Sequence, residues 1–232
     1  MGKFIVIEGL DGSGKSTQGE LLRRHYEAEG KKVRVLGFPC YGTPGCTLVE
    51  MYLSGQLGDK ASDTNGYAAS MLYAADRYIS YVTDWKKDVL DEECIVLATR
   101  YTTANAYHQL SKLPKEEWET FLSWLWDFEF GKLGLPSPDR VILLDMPESV
   151  SSALVRSRSA ETGRKIDIHE KDVSYLLSCR NDCIRLLTTK HYSSDLGCVC
   201  KVVDTSLDNF NSCHIKTLGK FLLKLVVDLI SI

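Results

Sequence analysis

In Gly9-Leu10-Asp11-Gly12-Ser13-Gly14-Lys15-Ser16-Thr17, the residue types stand at a spacing that suits a polyphosphate. Glycines let successive backbone N–H groups turn inward around phosphate oxygens, and the N-terminus of a following helix favours their negative charge. Lys15 would reach the β- and γ-phosphates, and the Ser16 hydroxyl suits Mg²⁺. The run satisfies the pattern G-x-x-x-x-G-K-[ST] from Gly9 to Ser16. An apolar β-branched run precedes it and a helix-forming run follows, which is the setting the chemistry needs. Gly9, Gly12, Ser13, Gly14, Lys15, Ser16 and Thr17 are therefore the candidate residues for holding an ATP-like donor.

Positioning such a loop requires a sheet and covering helices. Apolar β-rich runs recur at residues 4–8, 32–37, 94–98, 140–145 and 200–204. Helical patterns fall at residues 16–29, 45–54, 68–90, 115–130, 149–158, 170–192 and 210–229. Strands alternating with helices predict an α/β fold: a doubly wound, five-stranded parallel sheet with ligands at the strands' carboxyl ends. At 232 residues and 44% hydrophobic, the chain can bury the core of one such domain, taken as residues 1–232. Residues 55–66 and 157–169 read as irregular. The second stretch carries Arg158, Arg164 and Lys165 with few apolar residues. Beside a phosphate loop it reads as a mobile basic lid, residues 156–169, or as an ordinary solvated loop.

A net charge of −3 gives no global reason to expect nucleic acid or a membrane as partner, so any anion site is local. The apolar stretch at residues 221–232 is short and interrupted by Lys224 and Asp228. A strand begins almost at the first residue, so a cytoplasmic protein without a leader is expected. The eight cysteines, Cys40, Cys46, Cys94, Cys179, Cys183, Cys198, Cys200 and Cys213, show no metal-binding spacing and read as reduced thiols.

Further segments follow the phosphate loop in order. They are Phe38-Pro39-Cys40-Tyr41-Gly42, Leu53-Ser54-Gly55-Gln56-Leu57-Gly58 with Tyr73-Ala74-Ala75-Asp76-Arg77, and Thr99-Arg100-Tyr101 with Asn105-Ala106-Tyr107. Then come Phe128-Glu129-Phe130-Gly131 with Gly134-Leu135-Pro136-Ser137-Pro138-Asp139, and Leu143-Leu144-Asp145-Met146-Pro147. The last is the basic stretch ending Gly163-Arg164-Lys165-Ile166-Asp167-Ile168-His169-Glu170. Together with residues 7–17 the ordered set resembles the thymidylate kinase family, which transfers the γ-phosphoryl group of ATP to dTMP. The likeness covers residues 3 to about 190.

The resemblance implies roles. Asp11 meets the acceptor's 3′-hydroxyl, Tyr73 stacks on thymine and Arg77 hydrogen-bonds the base's carbonyl edge. Phe38 and Tyr41 flank the acceptor pocket. Arg100 takes the acceptor phosphate, Asn105 a base or sugar position, and Tyr107 the aromatic position beside the sugar, though its spacing is one residue short. Spacing independently puts Tyr73 and Arg77 on one helix face, and Arg100 at a strand's carboxyl end. Some members carry an arginine within the phosphate loop, where this chain has Gly12; others supply it from the lid. That makes Arg156, Arg158 and Arg164 the candidates here, Arg164 best matched and Arg158 with it.

Two positions depart from the family pattern. Thr99 replaces an aspartate that helps hold Mg²⁺ or its waters, and Cys40 replaces an arginine that contacts the acceptor phosphate. Glu8 is either a substitute ligand to the metal through water or a strand-end carboxylate fixing the loop. The resulting expectation is a homodimeric dTMP kinase using MgATP and pairing near residues 68–90. A kinase for deoxynucleosides or another nucleotide, and a non-catalytic nucleotide-binding protein, stay open as alternatives.

Overall fold

In β1 (Lys3–Glu8), Phe4 and Val6 point to one side of the chain and Ile5 and Ile7 to the other, and all four are buried. A strand apolar on both sides belongs inside a parallel sheet covered on both faces. The computed structural model describes residues 2–162, 167–169, 172–189, 199–204 and 227. It places β1 at the centre of five strands ordered β2-β3-β1-β4-β5. Here β2 is Lys32–Gly37, β3 is Cys94–Thr99, β4 is Arg140–Asp145 and β5 is Val199–Asp204. Every pairing is parallel. Strand order changes direction at β1, so its carboxyl end is where a crevice opens. The phosphate loop leaves from that end and enters α1 (Lys15–Ala28).

Helix α1 covers one face, with Leu22 and Tyr26 against Ile5, Ile7, Ile95 and Leu97. The other face is covered by several helices in succession. Helix α2 (Thr47–Leu53) leads into α3 (Gly66–Ser80), which continues through a π turn, Tyr81–Trp85, into α4 (Lys86–Leu90). Then come α5 (Thr102–Leu110) and α6 (Trp118–Trp126), the latter prolonged by a second π turn, Asp127–Lys132. Helices α7 (Glu148–Thr162) and α8 (Val173–Thr188) follow β4. Tyr81, Trp85, Leu110, Phe121, Leu125, Cys183 and Leu186 from these elements share one core with Phe4, Val6, Val96 and Val141.

The five expected strands are present, each within one residue of its expected bounds. The helices differ more. The stretch at 68–90 is a helix divided by a π turn, and 115–130 is a 3₁₀ turn, a helix and another π turn. Helix α7 runs to Thr162, so the first part of the segment expected to be irregular at 157–169 is helical. The helix expected at 210–229 lies outside the described residues apart from Val227, which packs against the α1 side of the sheet.

Helix α5 had no counterpart in the sequence reading. Its N-terminal residues, Thr102 and Thr103, are poor helix formers, and its cap residue Tyr101 supplies no side-chain bond. The cap comes instead from Glu8, at the far end of β1. The Glu8 carboxylate accepts the backbone N–H groups of Tyr101 and Ala104, both at 3.0 Å, and the hydroxyls of Thr103 and Tyr107. A carboxylate at a helix N-terminus satisfies orphan donors and complements the helix dipole. Glu8 is fully buried. Burial pushes its pKa up, against the Thr103 hydrogen bond and the nearby charges of Arg100 and Lys15.

Replacing Glu8 by leucine therefore strands buried donors at the start of α5. Urea unfolding of Glu8→Leu should show a loss of about 3 kcal/mol or more. An unchanged midpoint would mean that α5 does not depend on this cap.

Candidate active site

The phosphate loop is shaped by backbone that side chains resist. Gly9, Gly12 and Gly14 all have positive φ. At Gly12, with φ 82°, a Cβ would stand 2.6 Å from the carbonyl oxygen of Ser151 in α7. Ser151 also donates its hydroxyl to the Asp11 carbonyl. No arginine fits at Gly12 in this arrangement, because strain and a backbone clash coincide there. Lys15 is buried and donates to the carbonyls of Gly9 and Leu10 at 2.8 and 2.6 Å. Ser16 and Thr17 are exposed in the first turn of α1.

Beside the loop lies an open cleft. Asp11, Phe38, Tyr41, Tyr73, Arg77, Arg100 and Asn105, all singled out from the sequence, line it together. Tyr101, His108, Asp167 and His169 line it too, and none of these had been assigned a role. Tyr107 does not line it. Its ring is fully buried, with the hydroxyl facing Glu8 and the Gly9 carbonyl at 3.4 and 3.5 Å. The next residue, His108, reaches the cleft in its place, which the short spacing had hinted at.

Arg100 follows β3 in a left-handed conformation, φ 65°, which a non-glycine residue holds at a cost of order 1 kcal/mol or more. Its N–H donates to the Ile7 carbonyl at 3.0 Å. The guanidinium donates to Asp11 Oδ1 at 2.7 Å and approaches His108 Nε2 at 3.2 Å. Burial acts to raise the Asp11 pKa, yet the charges of Arg100 and Lys15 outweigh it and hold the carboxyl well below the usual range. An arginine and a carboxylate thus meet at the seam between phosphate loop and cleft.

Arg77 is almost fully buried and pairs with Glu129, a fully buried carboxylate of the second π turn. Tyr73 is partly buried and meets Tyr52 edge-on. Cys40 is not among the lining residues; its N–H donates to Asp76 Oδ2 at 3.0 Å. Thr99 donates to the Leu36 carbonyl at 3.4 Å and lies against Gly19 of α1. Asp145 is held by Arg180 of α8 through two bonds, at 2.7 and 2.9 Å. Of the lid candidates, Arg156 is exposed on α7, the Arg158 side chain is not described, and Arg164 lies outside the described residues.

Two imidazoles close one end of the cleft. The rings of His108 and His169 are 5.3 Å apart. Arginine only donates, so His108 Nε2 accepts and its proton sits on Nδ1, toward Tyr175 and Cys179. Lys112 donates to the Tyr52 hydroxyl, which pairs with His169 Nε2, both at 2.8 Å. Burial, with the charges of Lys112 and Arg100, pushes the His169 pKa down to about 3. Burial, His169 and Arg100 push His108 well below its ordinary value.

Comparison with known proteins agrees with this geometry. A family model described as thymidylate kinase matches residues 7–193. The chain is 33% identical over 171 residues to "Thymidylate kinase" of Mycobacterium tuberculosis, spanning 73% of this chain and 78% of that one. It is 30% identical over 172 residues to "Probable thymidylate kinase" of Pyrococcus abyssi, again 73% and 78%. Against "Probable thymidylate kinase" of Thermococcus gammatolerans it is 32% identical over 165 residues, 70% and 74%.

The neutral imidazoles make stability depend on pH. His169 has an ordinary pKa of 6.5 when unfolded and about 3 when folded. Between those values the unfolded chain binds the extra proton, so stability is full above 6.5 and falls as pH drops toward 3. Urea unfolding from pH 7.5 to 4.5 should show His169→Gln losing less than wild type, by up to about 1.4 kcal/mol per pH unit in the window. Identical slopes would place the burden elsewhere.

Proposed function

The chain belongs to the thymidylate kinase family, and on that premise we propose how its residues share the transfer of the γ-phosphoryl group from ATP to dTMP, giving dTDP and ADP. The observation that carries this reading is the junction of two sites. A phosphate loop and an open cleft meet where Asp11 and Arg100 pair at 2.7 Å.

Phosphoryl transfer needs alignment and charge neutralisation more than covalent assistance. Loop amides from Gly9 to Thr17 and Lys15 hold the donor phosphates. Arg100 takes the acceptor phosphate, and its pairing with Asp11 keeps it aimed at the seam. Tyr73 and Phe38 flank the base, Arg77 and Asn105 meet its polar edge, Tyr41 closes the cleft mouth, and Asp11 also serves the sugar hydroxyl. Mg²⁺ is the cofactor: the exposed Ser16 hydroxyl is a hard oxygen donor, and no cluster of three acidic, histidine or cysteine side chains exists among the described residues. That donor set fits a magnesium ion carried largely by phosphates and water rather than a protein cage. When bound it neutralises charge on the phosphates. Glu8 commits its oxygens to α5 and is left out of that shell.

Arg164, with Arg158, supplies the transition-state cation from the lid, because Gly12 leaves the loop no room for one. A homodimer is part of the proposal. Tyr67, Met71, Tyr78 and Val82 are exposed apolar residues spaced along one face of α3 and its π turn. No helix among the described residues is long and apolar enough to cross a membrane. A cytoplasmic setting, where ATP is abundant, completes the reading.

An ADP-release assay tests the activity: dTMP should be the preferred acceptor over thymidine, and Arg164→Ala should lower kcat by about 100-fold, a few kcal/mol of barrier. Turnover with no acceptor would reduce the chain to a nucleotide-binding protein. Light scattering should give the mass of two chains, and Met71→Glu should give one.

A further inference from the structure

Glu129, like Glu8, is a carboxylate with no exposure to solvent, and it continues the buried face that Trp118, Leu122 and Leu125 form along α6. It sits in the π turn that ends α6. Its oxygens accept four bonds. Arg77 Nε donates to Oε2 at 2.7 Å and Arg77 Nη2 donates to Oε1. Thr102 donates its hydroxyl to Oε2 at 2.8 Å, and Asn105 Nδ2 donates to Oε1 at 3.1 Å. Each oxygen is saturated by two donors, so the group is fully compensated despite its burial.

The consequence lies in what these partners have left to offer. Arg77 uses Nε and Nη2 on Glu129, and Nη1 carries no hydrogen bond to the described residues. Arg77 therefore meets the cleft as a donor, in one fixed orientation set by the two-point contact. Asn105 has both amide hydrogens engaged, on Glu129 and on the Ser70 carbonyl at 3.5 Å. A carboxylate accepts but never donates, so it fixes which way the amide lies. The Asn105 oxygen, held only by long contacts of 3.3 and 3.4 Å from Ser70 and Gln109, is the acceptor it can present. Both residues line the cleft with Tyr73.

A donor beside an acceptor complements a carbonyl oxygen beside an N–H, the imide edge of thymine or uracil. Cytosine presents the reverse, an amino group beside a bare ring nitrogen. Buried polar groups left facing like groups are a strong basis for rejection. We propose that Glu129 is the positioning residue that sets base specificity: by saturating one side of both Arg77 and Asn105, it presents a donor–acceptor pair that takes an imide base and rejects an amino base. This rests on reading the cleft as the acceptor-nucleotide site.

Calorimetric titration with dTMP and with dCMP tests the proposal apart from turnover. Wild type should bind dTMP at least about 10-fold more tightly than dCMP, the discrimination expected of a site that hydrogen-bonds its ligand. In Glu129→Gln the new amide can donate as well as accept, so the Asn105 orientation is released and the ratio should fall toward one. Glu129→Asp keeps the charge that compensates Arg77 and so guards against misfolding, while withdrawing the fork by one methylene; the same loss of ratio is expected. In the kinase assay both variants should raise KM for dTMP about 10-fold or more while leaving KM for ATP unchanged, the pattern of lost acceptor binding. Preserved discrimination in folded Glu129→Asp and Glu129→Gln would overturn the proposal, as would equal rises in both KM values. If wild type discriminates dTMP from dCMP in binding but turns over neither, the activity reading fails and the clamp stands.

Discussion

A carboxylate buried where solvent cannot reach it must be surrounded by donors, and that requirement ties this active site together. Glu8 ends the central strand and lies beneath the phosphate loop. Its nearest donors belong to α5, the helix that carries Asn105 and His108 into the cleft. One side chain thus couples the strand that launches the phosphate loop to the helix that walls the cleft. Without it, the N–H groups of Tyr101 and Ala104 would go unsatisfied at the start of α5, in a low-dielectric interior. Its position is set by the sheet, because β1 lies between β3 and β4. The relative placement of the phosphate loop and the cleft is therefore set by the central strand of the sheet.

The same economy of charge governs Arg100. A left-handed arginine just past a strand is strained, and such strain persists only where surrounding contacts over-determine it. Here the Ile7 carbonyl fixes the backbone while Asp11 and His108 bracket the guanidinium. Aiming the side chain across the end of β1, rather than along β3, brings it beside the phosphate loop. His108 can serve this arrangement only while neutral, since a second cation on Nε2 would repel the arginine. Burial and the neighbouring positive charges keep it so.

How much of this was legible in the sequence follows from the range of each interaction. The strands and the loop were readable because β-branched periodicity and glycine spacing are local signals. Most cleft residues were reachable through the ordered motifs. Helix α5 was not, since Thr102, Thr103 and Asn105 have weak helical preference and their cap lies ninety-odd residues away in Glu8. Glu129 went unassigned for a related reason: it continues the buried face of α6, but the donors that let a carboxylate sit there, Arg77 and Asn105, are 52 and 24 residues away. His108 was hidden behind a one-residue offset that no local rule resolves, and His169 behind the reading of its segment as lid.

The two departures from the family pattern gain a physical meaning from where they sit. Thr99 faces α1, beside Gly19 and one turn beyond Ser16, so an aspartate there would add negative charge near the hydroxyl proposed to bind the metal. Cys40 contributes no lining atoms to the cleft, and its backbone N–H is already held by Asp76. An arginine at 40 would add positive charge near the proposed acceptor-phosphate position. Losing one charge of each sign leaves the local balance unaltered but spreads less charge across the reacting phosphates. Lys15 and Arg100 then carry more of the neutralisation among the described residues, and Asp11 offsets part of Arg100. The proposed mechanism accordingly leans more on a lid cation than it would in a chain that keeps both residues. Because Gly12 admits no side chain, that cation is proposed to come from the lid rather than from the loop.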